Sequence, residues 1–315
     1  MRIYRDPTEI AGENGRAVTI GAFDGVHLGH QAVLRLVREL AQARGLSATV
    51  LTFDRHPAEV VRPGSAPRLL TTLEQKLELL EATNAVDECL VLPFDATRSK
   101  EPAEQFVEEL LASALRARLV VVGADFHFGY RRHGDVPLLQ LMGAELGFET
   151  IGLGLVAAFD RDSGIPYSST RIRQLIAVGD VEGAAAMLGR PHEVRGPVER
   201  GDARGRELGF PTANVSVPDN ICLPADGVYA GTFVGADGVE RRAAISAGRR
   251  PTFYASAGLF LLEAHVLDFD GDLYGQTAKV RFTHRIRGQE RFENVDDLIA
   301  QMHRDVARVG ELLGT

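Results

Sequence analysis

The stretch Val18–His30, VTIGAFDGVHLGH, decides how the first half of the chain folds. The apolar run Ala17–Ile20 predicts a buried strand. Gly21, Phe23, Asp24 and Gly25 follow, and with Gly29 they make a loop with little side chain in the way of a ligand. Two histidines, His27 and His30, stand at three-residue spacing. An amphipathic helix begins at once, with Val33, Leu36, Val37, Leu40 and Ala41 on one stripe and Gly45 to stop it. A strand, a glycine loop and a helix N-terminus together bind phosphate, because free N–H groups and the helix dipole both face the anion. Paired histidines add donors that can follow charge as it builds on a phosphoryl group.

Outward from this unit, strands and helices alternate to about Leu188. Ala48–Phe53 predicts a second buried strand, ending in Asp54, Arg55, His56 and Pro57. Thr72 with Gln75 predicts a capping box for a helix carrying Leu73, Leu77 and Leu80. Strands are expected at Cys89–Phe94, Leu119–Gly123 and Thr150–Val156, and helices at Pro102–Leu115 and Val136–Leu146. This alternation indicates a parallel sheet covered on both faces, with ligands beyond the carboxyl ends of its strands. His27, His30, His56, Asp125 and Phe128 all fall at such ends. The G-x-G-x-x-A match at Gly152–Ala157 has no helix after it and is read as glycines within a strand. There is no P-loop. Ser168, Ser169 and Thr170 precede Arg171, Arg173 and an apolar helix. Such hydroxyls cap a helix, and with an arginine they can also grip phosphate.

After Leu188-Gly-Arg-Pro191 the pattern changes to short strands: Val194–Val198, Ala213–Val217, Val228–Val234, Arg242–Ser246, Leu259–Leu267 and Ala278–Phe282. Their spacing predicts a small antiparallel barrel. The amphipathic segment Val295–Leu313 is expected to cover one side of it. Domains are therefore expected over residues 1–188 and 189–315. The basic glycine loop GDARGRELG contains Gly201, Gly205 and Arg206 and suits phosphates, although glycines alone suit any mobile surface loop. In the following PTAN, Thr212 and Asn214 share one face of an extended strand and offer neutral oxygens to a hard cation such as Mg²⁺. Glu263 sits inside an apolar strand, where it is either a general base or an edge glutamate at the barrel mouth.

Composition narrows the partners. The 315 residues exceed one typical core, and 45% hydrophobic with 25% charged residues is ordinary for a water-soluble globular chain. A net charge of −8 argues against nucleic acid. Two cysteines form no framework, the N-terminus has no apolar signal region, and no run approaches membrane-spanning length. A cytoplasmic, non-membrane protein is expected, as a monomer or weak homo-oligomer.

These motifs, in this order, resemble the bacterial type of bifunctional riboflavin kinase/FAD synthetase along nearly the whole chain. HxGH, Phe53–Pro57, GADFHFG and SSTRIR resemble its FMN adenylyltransferase module, an α/β nucleotidyltransferase with a Rossmann-like parallel sheet. LGFPTAN, GVYAG, RRPTF, the Glu263 strand and DLYGQ resemble its kinase barrel. The resemblance implies ATP as co-substrate, riboflavin, FMN and FAD as substrates and products, and Mg²⁺ on Thr212 and Asn214. It implies Glu263 as base toward the ribityl 5′-hydroxyl, with the Gly201 loop on ATP. It also implies His27 and His30 at the adenylyl transition state, Arg173 with its hydroxyls on pyrophosphate, and flavin contacts near His56, Pro57, Asp125 and Phe128. Arg55, Asp125, Pro166 and Arg250 depart from the usual family residues. Two other readings are an adenylyltransferase whose barrel merely binds flavin, and a non-catalytic flavin sensor.

Overall fold

The structure is a computed structural model that describes residues 1–10, 12, 14–154, 166–200, 208–249 and 260–314. It divides into two compact units, Met1–Ser168 and Ser169–Thr315.

The first unit is built on a six-stranded parallel sheet. In chain order its elements are β1 (Arg2–Tyr4), β2 (Arg16–Ile20), α1 (Leu28–Arg44), β3 (Ser47–Phe53), α2 (Pro57–Val61), α3 (Leu73–Ala82), β4 (Glu88–Leu92), a helix Ala103–Gln105 that continues as a π-helix Phe106–Ala114, β5 (Ala117–Gly123), α4 (Val136–Leu146) and β6 (Glu149–Leu153). The strand order β1-β4-β3-β2-β5-β6 reverses direction between β2 and β5, the switch point where a crevice opens at the carboxyl ends. Alternation sorts β2 between two cores. Val18 and Ile20 pack with Leu51, Val120 and Phe106 on one face. Ala17 packs with Val37, Ala41 and Val121 on the other.

Local chemistry explains the element ends. Gly45 closes α1 in the left-handed region at φ 65°. Thr72 and Gln75 form the expected capping box of α3. The helix expected at Pro102–Leu115 is mostly a π-helix, whose last N–H, on Leu115, reaches back to the Leu110 carbonyl at 2.8 Å. Its apolar stripe of Phe106, Val107, Leu110 and Leu111 is buried as the spacing predicted. Strand β1 was not expected: three half-polar residues acquire order only by pairing with β4. The strand expected at Thr150–Val156 is β6, and Val156 lies outside the described residues.

The second unit opens with α5 (Ser169–Val178) and α6 (Val181–Leu188). A closed antiparallel barrel follows, of β7 (His192–Glu199), β8 (Ala213–Val215), β9 (Gly227–Val234), β10 (Glu240–Arg249), β11 (Phe260–Val266) and β12 (Thr277–Gly288), and α7 (Val295–Leu313) ends it. Its order is β10-β11-β8-β7-β12-β9. Closure is tight at Gly231, where a Cβ would stand 1.9 Å from the Arg281 carbonyl.

The unit boundary differs from the expected 188/189. The chain divides at 168/169 because α5 and α6 bury Ile172, Ile176, Val181 and Leu188 and bond to the barrel. Arg285 donates to the Val178 carbonyl at 3.0 Å, and the Ala225 N–H donates to the Ile176 carbonyl at 3.2 Å. Helical periodicity shows which face is apolar but not which neighbour receives it.

Candidate functional site

The first site sits at the end of β2. His27 is the N-cap of α1, and its Nδ1 accepts from the His30 N–H at 3.3 Å. That acceptor role puts the neutral ring's proton on Nε2, which becomes the donor. The two imidazoles stack with centroids 3.6 Å apart and planes 19° off parallel. Gly29 is required between them: a Cβ there would lie 3.1 Å from the His27 ring and 3.0 Å from Tyr167 Cβ. Burial, then His27, then the Lys76 ammonium hold His30 well below the usual histidine range, so this ring is neutral at pH 7. His30 Nδ1 is buried without a partner among the described residues. Two stacked rings beside a helix N-terminus can offer N–H donors to a phosphoryl group.

The loop between strand and helix is strained to reach this geometry. Phe23 (φ 50°), Gly25 (φ 83°) and Val26 (φ 38°) all lie in the left-handed region. The Phe23 ring is buried and tilts against His30 with centroids 5.1 Å apart. Gly21 donates to the Leu51 carbonyl at 3.1 Å, and a Cβ on it would press on the Phe23 ring at 3.2 Å. Asp24 is buried, and its carboxylate accepts from the N–H groups of Leu70 (2.9 Å) and Thr71 (3.2 Å). In the loop expected to bind nucleotide, the Phe23 and Asp24 side chains brace the backbone from inside.

The neighbouring loops supply the rest of the crevice. His56 caps α2 through Nδ1, 3.1 Å from the Ala58 N–H, and Pro57 takes the first helical position. Asp125 is exposed at the end of β5. Phe128, expected near the flavin, is packed inward. Its ring is 8% exposed and belongs to the core, 5.5 Å from Phe106. Phe126, stacked on Phe128 at 5.5 Å, is the half-buried ring of this loop. In GADFHFG the spacing could not tell which of the two phenylalanines turned inward.

Lys76 was missed. It was hidden in the polar positions of an amphipathic helix, yet it is only 7% exposed and its Nζ reaches the ends of β2 and β3. Ser168 ends the first unit, while Ser169, Thr170 and Arg173 begin α5 in the second.

The barrel site is set by strand register. Asn214 in β8 lies opposite Glu263 in β11 on one side and Glu199 in β7 on the other. Ser246 in β10 lies opposite Glu263 in turn. These residues alternate with the buried Ala213, Leu262 and Ala264, so the row occupies the barrel's outer face, with Thr212 one pleat away. Directly opposed residues have Cβ atoms about 5 Å apart. Thr212 also lines a groove of about 710 Å³ with Arg200, Pro211, Asp270, Asp272 and Tyr274. Neutral oxygens beside carboxylates at a groove suit a Mg²⁺ that keeps waters and takes phosphate oxygens. Glu199 was missed, although its alternation with Val194 and Val198 placed it on this face. Gly201, Gly205, Arg206 and Arg250 lie outside the described residues.

Paired histidines over a parallel sheet, joined to a barrel with a carboxylate–amide row, define a two-module nucleotide-dependent transferase. Residues 9–170 match the FAD synthetase family, and residues 188–313 match the riboflavin kinase family. The chain is 38% identical over 305 residues to the bifunctional riboflavin kinase/FMN adenylyltransferase of Escherichia coli strain K12, spanning 96% of this chain and 95% of that one. It is 37% identical over 295 residues to the enzyme of that name from Haemophilus influenzae, at 93% and 92% coverage. A crystal structure from Streptococcus pneumoniae, named a macrolide-efflux protein, matches with TM-score 0.85 and 31% identity over 97% of each chain. That name is at odds with the two family matches, and no described helix is long and apolar enough to cross a membrane. The chain belongs to the bifunctional riboflavin kinase/FMN adenylyltransferase family.

Proposed function

We propose a division of labour between the two units in making FAD from riboflavin. The chain phosphorylates riboflavin to FMN with ATP, then adenylylates FMN to FAD with a second ATP and releases pyrophosphate. The observation that carries the division is the presence of two separate constellations, the His27–His30 stack and the Asn214–Glu263 pair, on two separate folds.

In the barrel, Glu263 accepts the proton of the ribityl 5′-hydroxyl as that oxygen attacks the γ-phosphorus. Thr212 and Asn214 would hold Mg²⁺, which would neutralise phosphate charge, and Gly201, Gly205 and Arg206 are the residues assigned to the ATP phosphates. In the sheet unit, an FMN phosphate oxygen attacks the α-phosphorus of ATP. His27, through Nε2–H, and His30 stabilise the charge on the transferring group. Gly21 and Gly25 let the nucleotide approach the backbone. Ser168, Ser169, Thr170 and Arg173 hold the outgoing pyrophosphate. His56, Pro57, Asp125 and the loop that carries Phe128 contact the flavin. No covalent intermediate is needed, so rate comes from positioning and electrostatics. The enzyme works in the cytoplasm, as a monomer or weak homo-oligomer, without nucleic acid.

A barrel that only binds flavin is disfavoured by the riboflavin kinase match over residues 188–313. Chromatography of riboflavin, FMN and FAD, after incubation with ATP and Mg²⁺, tests the whole scheme. FMN rising first and FAD after it is the expected result. Unchanged riboflavin, with FAD made only from added FMN, would leave the one-reaction enzyme.

A further inference from the structure

Lys76 is a cation placed where few are found. It lies on the inner side of α3 and is 7% exposed. Its Nζ donates to the Phe53 carbonyl at 2.8 Å, the Thr52 hydroxyl at 3.1 Å and the Ala22 carbonyl at 3.2 Å. An ammonium has three N–H groups, and each has an oxygen here. Burying such an ion costs several kcal/mol before its hydrogen bonds are counted. A strut between two strands could be made by a neutral side chain at less cost.

The acceptors show what the cation holds. Phe53 ends β3, and Ala22 opens the strained loop that leads into His27 and His30. The same end of α3 grips that loop twice more. The Thr71 hydroxyl accepts from the Gly25 N–H at 3.2 Å, and Asp24 accepts from Leu70 and Thr71. The Thr72–Gln75 capping box fixes the start of the helix that carries Lys76. The run from Leu70 to Lys76 is therefore a clamp on residues 22–25.

We propose that Lys76 is a positioning residue of the adenylyl-transfer site, pinning the Ala22 carbonyl to the end of β3 and so setting the loop that delivers the paired histidines. Its charge has a second effect. The groups facing His30 are His27 from the same helix start and Lys76 from α3, and both oppose a proton on its ring. Asp24, Asp54 and Cys89 are the charged or titratable neighbours that act on Lys76 itself. Burial lowers the proton affinity of Lys76, and its three oxygen acceptors, with Asp24 and Asp54, oppose that loss. While charged, it adds to burial and His27 in keeping His30 a neutral donor, and it adds to the potential that receives phosphates.

The proposal rests on assigning the histidine pair to adenylyl transfer, and the kinase unit in the same chain is its internal control. Lys76→Met and Lys76→Arg are assayed in the full-length protein for FMN and FAD formation, and His30 is titrated by NMR of its imidazole. In Lys76→Met, kcat for FAD formation falls tenfold or more while FMN formation stays within twofold. The His30 midpoint rises but stays below the ordinary histidine value, because burial and His27 still oppose the proton. Lys76→Arg keeps the midpoint low and recovers most of kcat. A folded Lys76→Met with wild-type kcat and an unmoved His30 midpoint overturns the proposal. If the methionine variant does not fold, the arginine variant decides: a folded Lys76→Arg whose His30 midpoint rises above that of the wild type and whose kcat for FAD formation is not recovered overturns it equally. Wild-type protein that makes no FAD from FMN would refute the functional assignment instead, and the His30 midpoints would still report the coupling.

Discussion

Glu263 stands directly across the β8–β11 ladder from Asn214, so the proposed base and one of the proposed neutral oxygen donors share one outer face. On the proposed roles, this register would place proton removal beside phosphate binding. Glu263→Gln keeps shape and removes the base. Riboflavin phosphorylation is expected to fall 10²–10⁴-fold, the range typical for a general base, while FAD formation from added FMN is unchanged. Full kinase activity in this variant would remove Glu263 from the mechanism.

Gly29 separates activity from stability. Alanine there would stand 3.0–3.1 Å from Tyr167 and the His27 ring, so the imidazole must shift. Its backbone is helical, so alanine adds up to about 1 kcal/mol of helix stability. Gly29→Ala should lose tenfold or more in FAD formation, about 1.4 kcal/mol in the barrier, without a lower melting temperature. His30→Ala should abolish FAD formation and leave FMN formation intact, as assays of the two half-reactions would show.

Acid should weaken the sheet unit through His30. Its folded proton affinity is below that of a free imidazole, so the unfolded chain binds the proton first as pH falls. The stability is fully present above about pH 6.5 and is lost below it, by up to about 1.4 kcal/mol per pH unit. Urea unfolding at pH 7 and pH 5 should show a smaller loss for His30→Asn than for wild type. Equal losses would mean that His30 is not held neutral.

The last helix is pinned by an ion pair. Arg287 of β12 donates to Asp305 of α7 through Nε at 3.0 Å and Nη2 at 2.7 Å, and Gln301 adds a bond at 2.8 Å. Asp305 is 5% exposed. Asp305→Ala removes the carboxylate from the half-buried Arg287 guanidinium, which keeps its bond to the Gly288 carbonyl, and should cost about 1–3 kcal/mol in unfolding. Replacing both partners by apolar residues should cost less than the single change, which a double-mutant cycle would measure.

The sequence by itself determined the elements whose cause is local. The apolar run into Ile20, the Thr72–Gln75 box, Gly45 beyond α1, and the 19-residue stripe of α7 each carry their own period or cap. The family and its two activities were legible too, because motifs such as HxGH and PTAN keep their side chains within a few residues. Only the tertiary structure decided what depends on distant partners. Phe128 rather than Phe126 turned into the core, α5 and α6 joined the barrel, and Asn214 met Glu263 across 49 residues of chain. Lys76 is the clearest case. Nothing in its own helix marks it, because a lysine on a polar stripe is ordinarily solvated. Its role exists only where the ends of two strands bring three oxygens to one ammonium.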